Sequence, residues 1–249
     1  MASKSGPDII EDGLVLCLDA ASKRSYPGTG TVWTDLKGVN NGTLTNGPTF
    51  NSGNSGSIVF DGANDYVDIS LPSGIDTSQD MSISILFYYD ASTSSDNQYR
   101  YLFEIMDSTS SKYIYLGKWR SNLSNGLYLD YQNAGVRRFV LTTSDDIPDP
   151  NVANGTPNFY YDVNSKWTNA TILIKSNVMT LYINSLKLGS VSILSDDRWN
   201  DASSSLRIAS KNSSSLYHKG NIVNFYMYNR ALTADEIRRN YLSTKERFA

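Results

Sequence analysis

Short runs in which apolar and polar residues alternate recur along nearly the whole chain, each ended by Gly, Asn, Ser, Asp or Pro. Alternation at every second position puts one set of side chains on each face of an extended strand, and the Gly, Asn and Pro clusters supply the turns. Strands are therefore predicted at 13–19, 57–60, 66–69, 81–89, 100–105, 112–118, 126–131 and 136–142, then at 170–175, 178–183, 186–193, 205–210 and 220–228. In Met81-Ser82-Ile83-Ser84-Ile85-Leu86-Phe87 the two faces separate into apolar and polar, as a sheet with one face on a core and one toward solvent requires. Two residues, Ser176-Asn177 and Asn184-Ser185, separate the consecutive runs of 170–193, which reads as a tight antiparallel meander. The predicted fold is all-β, a two-sheet antiparallel sandwich.

One helix is predicted, at the C-terminus. Thr233-Ala234-Asp235-Glu236 has the spacing of a capping box, Leu232 and Ile237 fit the accompanying hydrophobic staple, and Ile237 and Tyr241 share one face. This short helix is expected to dock on the sandwich and close it. Residues 143–164, with Asp145, Asp146, Asp149 and three prolines, have no strand pattern and read as a long surface loop. Residues 1–12 form an N-terminal arm, and 13–249 a single domain.

Composition narrows the function classes. The 249 residues carry a net charge of -3 with Lys and Arg scattered, so no basic patch exists to follow a nucleic-acid backbone. No apolar run approaches the length of a membrane span, and the first residues lack the apolar segment of a secretion signal, so a product of the cytosol with no membrane insertion is expected. A single Cys, Cys17, excludes an intrachain disulfide, and with only one His, His218, a structural zinc site lacks ligands. Cys17 alternates with Val15 and is expected to point the same way, into the core or the sheet edge. His218 sits in a Ser- and Lys-rich stretch and reads as a surface residue.

Three segments together resemble a known family. They are Gly13-Leu14-Val15-Leu16-Cys17-Leu18-Asp19-Ala20 with Trp33-Thr34-Asp35-Leu36 and Gly56-Ser57-Ile58-Val59-Phe60-Asp61-Gly62; then Trp167 with Leu181-Tyr182-Ile183-Asn184; then Gly220-Asn221-Ile222 with Tyr228-Asn229-Arg230-Ala231-Leu232-Thr233. The pattern resembles the laminin-G-like jelly rolls of the concanavalin A-like lectin/glucanase superfamily, in the version common in bacteriophage and environmental viral proteins. Residues 90–160 carry no motif of that family. The resemblance implies a jelly-roll sandwich, and core positions for Trp33 and Trp167. The family's middle hairpin usually turns on Asn-Gly, so Asn184-Ser185 implies another turn type or some strain.

The resemblance bears on chemistry. Glycan hydrolases of the superfamily carry a strand resembling Glu-x-Asp-x-Glu, because retaining hydrolysis needs two carboxylates on one face. Here the glutamates are Glu11, Glu104, Glu236 and Glu246; only Glu104 lies in a predicted strand, and Asp107, three residues on, falls on the other face. A non-enzyme is expected. Several relatives bind calcium at loops of the sandwich rim, which makes Asp61, Asn64 and Asp65 candidate calcium ligands, against the alternative that they satisfy turn backbone through Asx-type bonds. Trp119 and Trp199, flanked by polar residues, are the candidate sugar-stacking groups, with Arg198 and Asp201 beside the second.

The implied role is a non-catalytic protein of the virion surface, made in a host cytoplasm, acting as an adhesion module for a glycan or host cell surface. The alternative is a decoration or assembly protein of the virion whose partners are other virion proteins. Exposed edge strands and the arm make self-association into a homo-oligomer a further expectation.

Overall fold

Each predicted run becomes a strand. The computed structural model describes residues 8–91, 99–118, 126–133, 136–141 (backbone only), 163–194, 198–211 and 216–247. In chain order the strands are β1 (Leu14–Asp19), β2 (Val32–Trp33), β3 (Gly42–Thr45), β4 (Thr49–Asn51), β5 (Ser57–Asp61), β6 (Tyr66–Ser70), β7 (Met81–Tyr89), β8 (Arg100–Met106), β9 (Lys112–Lys118), β10 (Leu127–Asn133), β11 (Val136–Leu141), β12 (Trp167–Lys175), β13 (Val178–Ile183), β14 (Leu186–Ser192), β15 (Ser205–Ile208) and β16 (Lys219–Tyr228), followed by helix α1 (Ala234–Lys245). They form two antiparallel sheets. The first runs β14-β13-β12-β7-β16-β5-β4, with β1 also paired to β16; the second runs β11-β10-β9-β8-β15-β6-β3-β2.

Alternation turns the apolar side chains of β7 inward as expected, but Ser82 and Ser84 on its other face are buried rather than solvated, bonded to Arg230, Leu232, Asn169 and Thr171. Ile83, Ile85 and Phe87 of β7 and Phe225 and Met227 of β16 meet Phe103, Ile105, Ile114, Leu116 and Leu129 of the second sheet in one core, where Phe103 and Phe225 pack edge to face with centroids 5.3 Å apart. A second, smaller cluster lies outside the first sheet. There Leu14, Cys17, Tyr226 and Tyr228 bury Leu232 and Ile237 of the helix start. The capping box is closed, with the Glu236 backbone N–H donating to Thr233 Oγ1 and the Thr233 N–H to Glu236 Oε2. Arg230 clamps the Glu236 carboxylate at 2.6 and 2.9 Å, which together with the Thr233 backbone holds its pKa down at about 2.

Two local expectations change. A register shift in the β1–β16 ladder between Leu14 and Leu16 turns Val15 toward the main core, while Cys17 faces the helix side, so the two do not point the same way. At the middle hairpin both central residues have positive φ, 49° at Asn184 and 68° at Ser185. That is the arrangement Asn-Gly adopts; the turn keeps its type, and Ser185 carries a strain of about 1 kcal/mol.

His218 is not a surface residue. It directly precedes β16, is 1% exposed, and lies among the rings of Phe60, Phe87 and Tyr89 at centroid distances of 6.1 to 6.3 Å. Neither ring nitrogen has a hydrogen-bond partner among the described residues. Burial, reinforced by the positive charge of Arg100, pushes its pKa down to about 3 against the pull of the Asn221 and Tyr88 backbone. The folded state therefore needs the neutral imidazole. Its contribution is complete above the ordinary histidine pKa of 6.5 and is lost as the pH falls from there toward 3. Calorimetry from pH 7 to pH 4 should show a steeper fall in Tm for the parent than for His218→Phe, which keeps the aromatic packing; parallel curves would refute this role.

Candidate functional site

The two outer faces of the sandwich differ. That of the first sheet is partly covered by α1 and by residues 8–10, since Asn240 Oδ1 accepts from the Ile10 N–H at 2.8 Å and Tyr228 Oη donates to the Ile10 carbonyl. The second sheet carries a band of tyrosines and charges. Alternation in Lys112-Tyr113-Ile114-Tyr115-Leu116-Gly117 sends Ile114 and Leu116 inward, and turns Tyr113 and Tyr115 outward beside Tyr101 and Tyr128. The Tyr115 ring lies 5.0 Å from Tyr101 and 5.6 Å from both Tyr113 and Tyr128. Lys211 Nζ stands over three of these rings, 4.2 Å from the centroid of Tyr113 and 4.9 Å from that of Tyr115.

Strand register orders the charges. Asp130 pairs with Tyr115, Tyr115 with Glu104, Glu104 with Arg207, Arg207 with Asp68 and Asp68 with Thr43, so these six form one row across five strand boundaries. Glu104 and Asp130, 1% and 0% exposed, stand two strands apart, so their Cα atoms are about 10 Å from each other. A search for carboxylates along one strand does not find such a pair, because it forms across strands. At the other end of the row Arg207 Nε donates to Asp68 Oδ1 at 2.7 Å, and its guanidinium carbon lies 4.2 Å over the ring of Tyr66, which stacks in turn on Tyr217. Beside them opens a cleft of about 420 Å³ walled by Asn41, Thr43, Asp68, Ser70 and Ser205. Hydroxyls, an amide and a half-exposed carboxylate next to a flat ring are the groups that recognise a polyhydroxylated ligand.

The sequence-predicted site residues lie elsewhere. Trp199 is 6% exposed: its ring packs on Tyr131 at 5.6 Å and its Nε1–H donates to Ser204 Oγ. Polar neighbours in sequence had suggested exposure, but these neighbours are the anchors that hold the ring inside. Arg198 donates to the carbonyls of Thr77 and Gln79 and to Asn177 Oδ1, and Asp201 accepts from the Ser108 and Ser203 N–H groups. Trp119 lies outside the described residues. Trp167, assigned to the core, is half-buried on the outer face of the first sheet, 5.3 Å from Tyr88. Trp33 is fully buried as expected.

In the Asp61–Asp65 turn, Asp61 Oδ1 accepts from the Ala63 and Asn64 N–H groups and Asp65 Oδ2 from that of Asp61. Desolvation raises the Asp65 pKa. These are Asx-type bonds that close the turn. Among the described residues no three His, Cys, Asp or Glu side chains lie together as a metal group.

A family model described as concanavalin A-like lectin/glucanases superfamily matches residues 61–238. The chain belongs to this superfamily. No curated protein matches the sequence. Solved structures of the same jelly-roll shape are distant in sequence. Domain 4 of a GH43 extracellular arabinanase from Geobacillus stearothermophilus, in complex with arabinotriose, is 15% identical with a TM-score of 0.64, the match covering 93% of this chain and 100% of that one. The binding domain of botulinum neurotoxin serotype D is 14% identical with a TM-score of 0.68, covering 93% and 52%. Trypanosoma rangeli sialidase is 14% identical with a TM-score of 0.64, covering 95% of this chain and 34% of its own. The chain thus spans about half of the toxin domain and a third of the sialidase. In this concanavalin A-like domain the two tryptophans exchange roles. Trp199→Ala should lower the unfolding free energy by about 3–5 kcal/mol and Trp167→Ala by much less, measured by urea denaturation; the opposite order would return Trp199 to the surface.

Proposed function

We propose that the chain is a non-catalytic glycan-binding module whose binding surface is the outer face of the second sheet. The observation that carries this reading is the accessible end of the row, where the Asp68–Arg207 pair stands over Tyr66 beside the polar cleft. Pyranose or furanose rings present an apolar face that stacks on Tyr66, hydroxyls that donate to a carboxylate, and hydroxyl oxygens that accept from a guanidinium. Membership of a lectin-type superfamily and the shape shared with an arabinotriose-bound domain support the ligand class. The resemblance of both ends of the chain to viral relatives supports a place on a virion surface, where the module would meet host cell glycans. Calcium at Asp61, Asn64 and Asp65 belongs to the same reading as a rim ion.

The test is a glycan screen of the whole chain, with arabinotriose as the first calorimetric probe, run in millimolar calcium and again in chelator. Saturable binding that falls at least tenfold in Tyr66→Ala and in Arg207→Ala, with Tm nearly unchanged, is the expected result. Loss in chelator that Asp61→Ala reproduces would add the ion. Absence of any glycan binding by a folded sample would overturn the reading in favour of other virion proteins as partners.

A further inference from the structure

A large opening lies on the opposite side of the molecule, between α1 and the outer face of the first sheet. It encloses about 700 Å³, enough for a small organic molecule. Part of its lining is apolar, formed by Ile9, Leu36, Leu242, the Cys17 thiol and the ring of Tyr226. Two hydrogen-bonding groups of nearly buried side chains open into it. The Asp19 side chain is 14% exposed; its Oδ1 accepts from the Ala21 N–H at 3.0 Å, but Oδ2 has only Arg247 Nη1 at 3.6 Å, longer than a hydrogen bond. Tyr226 is 3% exposed, and its hydroxyl has no hydrogen-bond partner among the described residues. Each oxygen thus keeps acceptor capacity that no donor among the described residues fills and that an occupant bearing N–H groups can use.

The sign of the charge follows from the wall. Asp8, Asp19 and Glu246 line it against the single guanidinium of Arg247. Burial raises the Asp19 pKa in spite of Arg247, as expected of a carboxylate whose charge is incompletely compensated. An anion would be repelled here, and a bare metal ion would leave the apolar lining uncovered.

We propose that this cavity is a second ligand site that takes an organic cation, a primary amine or guanidine on a small apolar body. The cationic N–H groups reach Asp19 Oδ2 and the Tyr226 hydroxyl, and the body lies on Leu36 and Leu242. The site shares no residue with the second-sheet face, so it stands whether or not that face binds glycans.

The probe is phenethylamine, compared with its neutral isostere phenethyl alcohol, titrated into the whole chain by calorimetry and followed by thermal melting. Phenethylamine should bind saturably and raise Tm, with the alcohol at least tenfold weaker. Asp19→Asn should reduce amine binding at least tenfold. Tyr226→Phe, which leaves charge and packing in place, should weaken it several-fold, so the result does not depend on one variant folding well. Equal affinity for amine and alcohol, unchanged binding in both variants, or no binding at millimolar amine would each overturn the proposal.

Discussion

The fold depends on the ladders of β16. This strand, formed by residues 219–228, pairs with β1 from the start of the chain, with β5 and with β7, and no first sheet exists until all three are joined to it. Its entry is sterically tight. Gly220 sits at φ 137° between β5 and β7, and a Cβ there would stand 2.1 Å from the Tyr88 carbonyl oxygen and 2.9 Å from the Asp90 nitrogen, so only a bare backbone fits. Because the pairs join residues 131 to 214 positions apart, the loop-closure entropy must be met before the contacts that offset it form. The aromatic nest around His218 sits at the same entry point, so hydrophobic burial and ladder formation secure β16 together.

From that frame the two outer faces acquire different uses. On the first sheet Cys17, Tyr226 and Tyr228 are apolar enough to need a cover, which the capped helix provides by burying Leu232 and Ile237. On the second sheet the outward positions of β6, β9, β10 and β15 hold tyrosines, carboxylates and an arginine, with lateral contacts from Arg207 to Asp68 and Tyr66 and from Tyr128 to Asp130. The middle of this face is buried, and the accessible groups at the Asp68–Arg207 end match the hydrogen-bonding demands of a sugar.

Much of this was legible in the chain itself. Thirteen predicted runs correspond to strands within a few residues, because period-2 alternation and turn residues agree over long stretches. The strands missed were β2, β3 and β4, of two to four residues, too short to display a period. Sites were harder. Trp199 looked exposed because its neighbours are polar, yet Arg198 and Asp201 spend their hydrogen bonds on backbone groups and on Asn177 and hold the ring inside. His218 misled for the same reason, its Lys- and Ser-rich surroundings hiding a strand entry. The tyrosine band did leave a signal, the alternation of Tyr113 and Tyr115 with aliphatic residues, but the row from Asp130 to Asp68 depends on register among β10, β9, β8, β15 and β6. No single segment contains it.

The arm and the helix share one side of the molecule. Arg239 Nε donates to the Asp8 carbonyl, and Asn240 and Tyr228 hold Ile10, so residues 8–10 run beside α1 on the first sheet. The tyrosine-lined sheet faces the other way. A scaffold that grips the domain by this side thereby sets its orientation: the outer face of the second sheet is displayed outward whichever end carries the tether. Copies spaced on a common support would then expose their second sheets in parallel, and individually weak contacts with a densely glycosylated surface would add up to avidity.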